Sequence, residues 1–168
     1  AAGDYAKAMS AYERAVSAAD VARDDEMHAS ALYLRGWLRG LQSEYALGLA
    51  DLRRALDLYE KIGWHDYART MVNGIATTYS RMGDYAQARR YYEQAAKEQL
   101  AAGVEREAVV SLYNLGLIYE KLRQWDDARR SFTQAQEIGR RLDYTRGLAY
   151  VARGFAAVHN GVGGGREG

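Results

Sequence analysis

The amino-acid sequence predicts an all-α fold in which antiparallel helical hairpins stack on one another. A motif that reads Gly-Asp-Tyr-Ala at residue 83 returns in full at residue 3 and in weaker form at residues 43 and 123, so the four copies are evenly spaced. A fixed period in this range is typical of repeat arrays, because a single hairpin cannot bury its apolar face alone. The chain also lacks proline and alternating β-branched runs, which argues against strands.

Apolar residues spaced three or four apart predict eight helices. In the first helix this spacing joins Tyr5, Ala8, Tyr12 and Ala15, and the helix is expected to end near residue 22. The later helices repeat the spacing, in chain order, at Leu32 and Gly36, Leu52 and Leu56, Val72 and Ile75, Ala88 and Tyr92, Leu115 and Tyr119, Ala128 and Phe132, and Phe155 and His159. Connections of a few residues make neighbouring helices antiparallel. Gly103 is predicted to cap the fifth helix.

The helical pattern divides the chain into repeats. The array is predicted to cover residues 1–160, with a first helix lacking a preceding partner at 1–22, full repeats at 27–63, 66–102 and 105–142, and a last helix lacking a following partner at 144–160. Both open ends are expected to expose apolar faces, which suggests a fragment of a longer protein or head-to-tail self-association through the terminal helices. Residues 161–168 are predicted to form a flexible tail, because they are too rich in glycine to hold a helix.

Composition argues against several classes of protein. The formal net charge of +1 gives no global field that would attract nucleic acid or an anionic membrane. The chain has no cysteine, no apolar run near the ~20 residues of a transmembrane helix, and no signal-like start, so a cytoplasmic location is expected. Its three histidines are scattered, and no nucleophile-elbow or phosphate-loop motif is present. A non-catalytic protein without metal or cofactor is therefore expected.

The repeat resembles the tetratricopeptide repeat family, whose first helix carries a large residue, leucine, glycine and tyrosine, and whose second carries alanine, an aromatic residue and alanine. The third full repeat matches at Leu112, Leu115, Gly116, Tyr119, Ala128, Phe132 and Ala135. The second matches at Val72, Ile75, Ala76, Tyr79, Ala88, Tyr92 and Ala95, and the first, more poorly, at Leu32, Arg35, Gly36, Arg39, Gly48, Leu52 and Ala55.

This resemblance implies a right-handed α-α superhelix of about eight antiparallel helices. The spacing of the motif, from residue 43 to 83 and from 83 to 123, exceeds the roughly 34-residue period that is usual in the family. Glu60, Leu100 and Arg140 stand where the family places proline, and without that proline the second helix of each pair runs further. The chain thus resembles a long-helix variant of the repeat. A HEAT-type repeat is the alternative for helical pairs of this length, but the Gly-Asp-Tyr and Leu-Gly motifs favour the tetratricopeptide interpretation.

The resemblance also implies a concave groove lined by the first helix of each pair. Carried over position by position, the candidate site residues are Tyr33, Trp37, Asn73, Thr77, Arg81, Tyr113, Asn114, Leu117, Lys121 and Arg153. Tyr33, Trp37 and Tyr113 would offer rigid apolar area, and the two asparagines would bond a peptide backbone. The alternative interpretation is that these aromatic residues only pack between repeats. The lysine and asparagine clamp that some members use for a terminal carboxylate is missing.

We expect a scaffold that binds a protein or peptide in this groove. The alternative is the sensory region of a larger, possibly bacterial, signalling protein, in which the groove binds a small ligand or signalling peptide and controls an attached output domain. Nucleic-acid binding is a third class, because arginine pairs recur at residues 53–54, 89–90 and 129–130. Acidic residues on the same helices favour an ordinary mixed surface instead.

Overall fold

The computed structural model describes residues 2–163, with side chains for residues 4–159. These residues form eight α-helices and no strand. Their bounds are α1 (Ala2–Ala22), α2 (Asp25–Leu41), α3 (Tyr45–Lys61), α4 (His65–Met82), α5 (Tyr85–Ala101), α6 (Glu105–Lys121), α7 (Trp125–Arg141) and α8 (Thr145–Gly163). The all-α prediction is confirmed, and the predicted helix ends agree closely with the observed ones.

The helices form two compact units, Ala1–Met82 and Gly83–Gly168. In the first unit α2 packs against α1 and α3, and α3 packs against α4. In the second unit α6 packs against α5 and α7, while α8 contacts both α7 and α6. In the first unit α2 and α4 are the first helices of their repeats, and α3 lies between them in the chain. In the second unit α6 and α8 are the first helices, and α7 lies between them.

Seven helix ends turn through a residue with positive φ, and these residues are evenly spaced along the chain, at 23, 43, 63, 83, 103, 123 and 143. Gly103, the predicted cap, has φ +72°. At the next such turn the N–H of Gln124 donates to the carbonyl of Tyr119 at 2.8 Å, the bond of a Schellman motif. Of the seven turns in the described part of the chain, six have the same bond, all except the one at Gly83. Because the turns are evenly spaced, helices of 17 or 18 residues recur from α2 to α7.

Four of the seven turns use a residue other than glycine, among them Arg123 with φ +58°. The left-handed conformation costs an L-residue roughly 1–2 kcal/mol, and glycine avoids this cost. Glycine also raises the conformational entropy of the unfolded chain, which cancels part of the gain in stability. Arg123→Gly should therefore raise the free energy of unfolding by about 0.5–1 kcal/mol, measured by urea denaturation. Gly103→Ala, the matched control at an equivalent turn, should lower it; two changes of the same sign would contradict this account.

The end of α8 differs from the sequence prediction. The helix was predicted to stop at residue 160 and residues 161–168 to be a flexible tail, but α8 continues through Gly163. Extending an existing helix adds one backbone hydrogen bond per residue, which offsets the cost of about 1 kcal/mol for each glycine. The remaining residues of the predicted tail lie outside the described part of the chain.

The core of the second unit is built around Phe132, which is fully buried on α7. Its ring lies against the glycines of two neighbouring helices: a Cβ added to Gly154 on α8 would stand 2.5 Å from Phe132 Cε1, and one added to Gly116 on α6 would collide in the same way. The two glycines therefore make room for the ring; Gly116 is the glycine of the repeat motif, whereas Gly154 lies outside the motif positions. Val109, Leu112, Ala128, Ala135, Ile138, Val151 and Val158 complete the buried cluster with Ala96.

A polar contact joins α5 to α6 beside this core. The hydroxyl of Tyr119 donates to Glu93 Oε1 at 2.7 Å. Burial, reinforced by this hydrogen bond and the nearby carboxylate charge, raises the pKa of Tyr119 to about 12. The folded protein thus keeps the hydroxyl protonated at a pH at which the same tyrosine ionises in the unfolded chain.

The raised pKa predicts how stability depends on pH. The pKa of Tyr119 is about 12 in the folded protein and about 10 in the unfolded chain. The protonated hydroxyl therefore contributes fully to the free energy of unfolding below pH ~10, and this contribution is lost as the pH rises toward 12. Urea denaturation across this range should show a smaller loss of stability for Tyr119→Phe than for the wild type. Parallel curves for the two proteins would show that this hydroxyl does not carry the effect.

Candidate functional site

A cavity of about 270 Å³ lies between α2 and α4 in the first unit. Its lining residues come from α2, α3 and α4, and they are Tyr33, Gly36, Trp37, Gly40, Leu52, Thr70, Asn73, Gly74, Thr77, Thr78 and Arg81. All five candidate residues that the sequence predicted in this unit line the cavity. Gly36, Gly40, Leu52 and Thr78 were missed as lining residues, because their positions in the repeat predict packing between helices rather than exposure in a groove.

The cavity is partly open, and its walls combine apolar side chains of α2 and α3 with polar side chains of α4. Leu52 is buried in the cavity wall formed by α3. The side chain of Trp37 on α2 is 53% exposed. Helices α2 and α4 leave space because glycine replaces a side chain where they face each other. A Cβ added to Gly74 would come no closer than 4.0 Å to Leu52 Cδ1, its nearest neighbour. The result is a pocket with an exposed indole at its edge.

Some polar groups of the cavity have hydrogen-bond partners within the described part of the chain, and others do not. The hydroxyls of Thr70, Thr77 and Thr78 each donate to a backbone carbonyl of α4 at 2.9–3.1 Å. Asn73 Oδ1 is buried and accepts no hydrogen bond from any described residue. Arg81 is exposed at the end of α4 and forms no ion pair within the described part of the chain. The cavity therefore offers a free acceptor inside and a positive charge at its rim.

A buried ionic cluster holds α2 against α3 behind this cavity. Asp51 on α3 is 5% exposed and accepts two hydrogen bonds from Arg35, at 2.6 and 2.8 Å, and one from Arg39, at 2.7 Å. The hydrogen bonds to Asp51 raise the pKa of Arg35 above its already high value, so its charge is permanent. Arg35 and Arg39 occupy the positions of leucine and tyrosine in the third repeat, which explains the poor match of the first repeat.

Removing one partner from this cluster should be costly. Asp51→Leu leaves two largely buried guanidinium groups without their anion, so we expect the free energy of unfolding to fall by about 3–5 kcal/mol in urea denaturation. The matched control is Asp66→Leu, which removes an exposed ion pair with Arg69 and should cost less than about 1 kcal/mol. Equal losses for the two variants would show that the buried cluster is no stronger than a surface pair.

The second unit places its candidate residues differently. Tyr113 packs between two other rings, with its centroid 5.9 Å from Phe132 and 5.6 Å from Tyr150 on α8. Leu117 is half-buried against the same core, and Asn114 is also half-buried. Lys121 and Arg153 are exposed. For Tyr113, the structure matches the alternative that the sequence left open, an aromatic residue that packs between repeats.

Two other classes of site were sought among the described residues. No group of three histidine, aspartate or glutamate side chains is arranged to hold a metal ion. None of the described helices combines the length and hydrophobicity of a membrane-spanning segment.

Comparison with known families identifies the repeat. A family profile described as tetratricopeptide repeat matches residues 39–98 and again 66–141, so the matches together extend over more than half of the chain. No curated protein shows significant sequence similarity to the chain.

Several solved structures share the fold. BtubC (BKLC) from P. vanneervenii superposes with a TM-score of 0.77 at 20% identity, over 93% of this chain and 66% of its own. The apo form of RapI gives 0.79 at 17% identity, over 98% and 48%. A Podosopora anserina protein described as a putative kinesin light chain with nearly identical TPR-like repeats gives 0.78 at 16% identity, over 94% and 80%. This chain thus spans less than two thirds of BtubC and about half of RapI, and the likeness confirms the predicted fold class.

Proposed function

The chain belongs to the tetratricopeptide repeat family, and we propose that it is a protein-interaction module whose first unit binds a segment of a partner protein along α2 and α4. The observation that carries this proposal is the cavity between these helices, with the exposed Trp37 at its edge. Large rigid aromatic side chains beside a pocket are the residues that most often dominate binding energy at protein interfaces. The contact surface follows the positions predicted from the repeat register.

The size of the cavity favours a partner segment over a free small ligand. Pockets for whole small molecules usually enclose about 300–1,000 Å³ and bury most of the ligand. The cavity between α2 and α4 measures about 270 Å³ and opens beside Trp37, so it suits one or two side chains of a longer segment. The sensory alternative gains no support from this geometry in the form in which a small ligand controls an output domain, whereas a signalling peptide would use the same surface as a partner segment.

The polar groups of the cavity indicate which chemical groups the partner segment should carry. A partner segment that brings an N–H or O–H donor into the cavity would satisfy Asn73 Oδ1, whose burial without a hydrogen bond is unfavourable. A carboxylate on the same segment would lie favourably near Arg81 at the rim. In the second unit Asn114, Lys121 and Arg153 remain proposed contact residues, with the exposed cations extending the preference for acidic partners.

Contacts of the basic pairs support the choice of a protein partner over nucleic acid. Arg89 lies 3.7 Å from Glu93, and Arg130 forms an ion pair with Asp127. Arg53 donates to the hydroxyl of a tyrosine on α4. Three of the arginines in these pairs therefore have partners within the chain, which weakens the case for a continuous stripe that neutralises phosphates.

A peptide selection tests the proposal. A phage-displayed library of random peptides selected on the wild-type protein should yield binders that lose affinity about ten- to thirty-fold on Trp37→Ala. The matched control is Leu47→Ala, because Leu47 is 52% exposed on α3 and lies outside the cavity. Peptide affinities, measured by titration calorimetry, should be unchanged by this control. Equal affinities for Trp37→Ala and the wild type, or failure to select any binder, would contradict the proposed surface.

A further inference from the structure

We infer that the cavity between α2 and α4 is a socket for an aromatic side chain of the partner segment, with a phenolic hydroxyl as the group that completes it. This inference rests on the proposed function and states which chemistry the site recognises. The two units have equivalent positions, so the second unit shows which side chains fill the space that is a cavity in the first. Positions 33–74 of the first unit correspond to positions 113–154 of the second, a shift of two periods.

Of the eleven residues that line the cavity, three are the same at the equivalent positions of the second unit and eight differ. The shared residues are Tyr33 and Tyr113, Gly36 and Gly116, and Gly74 and Gly154. Two of the differences, Leu52 against Phe132 and Thr70 against Tyr150, remove an aromatic ring from the first unit. A third, Trp37 against Leu117, places an aromatic ring at the edge of the cavity instead. Gly74, the counterpart of the glycine that makes room for Phe132 on α8, is retained.

In the second unit the space is full. The ring of Phe132 lies so close to the glycines of α6 and α8 that a Cβ on Gly154 would stand 2.5 Å from it. The ring of Tyr150 stacks on that of Tyr113, with an angle of 27° between the planes and 5.6 Å between centroids. Centroid distances of about 4.5–7 Å with an offset are the preferred geometry for aromatic pairs.

In the first unit the corresponding space is open beside Gly74, whereas at Gly36 it is closed by α3, since a Cβ added there would stand 2.9 Å from the carbonyl oxygen of Gly48. The nearest atom to a Cβ on Gly74 is Leu52 Cδ1, at 4.0 Å, so no ring occupies the position between α2 and α4. Tyr33 lines the cavity, but Thr70 stands where a stacking partner would be. An aromatic ring supplied by a partner segment would restore the contact that Tyr150 makes with Tyr113.

The polar lining selects among aromatic side chains. Asn73 Oδ1 is the buried acceptor without a hydrogen bond from the described residues, and it lines the same cavity. A phenolic O–H donates to such an acceptor, whereas a phenyl ring leaves it unsatisfied. Tyrosine is therefore preferred over phenylalanine at the recognised position.

Binding of three small probes tests the inference directly. Phenol, benzene and cyclohexanol share a six-membered ring, but benzene lacks the hydroxyl and cyclohexanol lacks the aromatic system. In amide chemical-shift titrations of the labelled wild-type protein, phenol should bind saturably and shift Tyr33, Gly36 and Gly74. Benzene should bind several-fold more weakly than phenol, and cyclohexanol at least tenfold more weakly.

Variants that carry the residue found at the equivalent position of the other unit provide the controls. Thr70→Tyr fills the cavity from within and should abolish phenol binding, as should Leu52→Phe, which serves if the first variant does not fold. Thr133→Tyr, the same change at an exposed position of α7, should leave binding unchanged. Tyr150→Thr should open the equivalent space at Tyr113, where Arg153 stands in place of the Asn73 acceptor, so phenol should bind there no more tightly than benzene. Phenol binding that survives both filling variants, or cyclohexanol binding as tight as phenol, overturns the inference.

The selected peptides separate this inference from the proposed function. Peptides that lose affinity on Trp37→Ala but lack a common aromatic residue, and bind Thr70→Tyr as well as the wild type, would overturn the socket while the partner surface stands. Saturable phenol binding together with no peptide that depends on Trp37 would overturn the proposed function and support the aromatic chemistry of the cavity.

Discussion

The structure depends on one geometric constraint, the left-handed residue that ends a helix at regular intervals from position 23 to position 143. A Schellman-type turn closes the helix at six of these seven points, and at all seven the chain turns back after two or three residues. Because α2 to α7 consequently have nearly equal lengths, side chains separated by one or two periods occupy equivalent places in their repeats. Each repeat can then be compared with the others residue by residue, and differences in side-chain volume or charge become differences in local structure.

Two such differences shape the first unit. Arg35, Arg39 and Asp51 replace apolar packing with a buried ionic cluster, which holds α2 on α3 through directional bonds. Leu52 and Thr70 replace two aromatic rings, which leaves the opposite side of α2 unfilled toward α4. The cluster and the cavity lie on different faces of one helix, so α2 is held firmly on one side while its other side stays available for contact.

The sequence predicted the helices well because helix spacing, period and turn length are local properties. The register also located Tyr33, Trp37, Asn73, Thr77 and Arg81 on the surface where a cavity is found. Other features depend on what surrounds a residue and were not predictable in the same way. Whether Tyr113 is exposed depends on the rings of Phe132 and Tyr150, and the ionic cluster shows in the sequence only as a mismatch at Arg35 and Arg39. The cavity reflects missing volume, which appears only when equivalent positions of the two units are compared.

Departures from the repeat are what distinguish the proposed binding surface of the first unit from the second unit. Where the motif is kept, as around Phe132, glycine and aromatic ring fit together and the space is closed. Where the glycines remain and the rings are lost, as at Leu52 and Thr70, the space opens onto the exposed Trp37. Retaining Gly74 without an internal ring gives no packing benefit to the isolated chain, since a Cβ there would meet nothing closer than 4.0 Å. A ring supplied from outside, as proposed above, would give this glycine the same role that its counterpart has in the second unit, and Asn73 Oδ1 would accept the hydrogen bond of a hydroxyl on that ring.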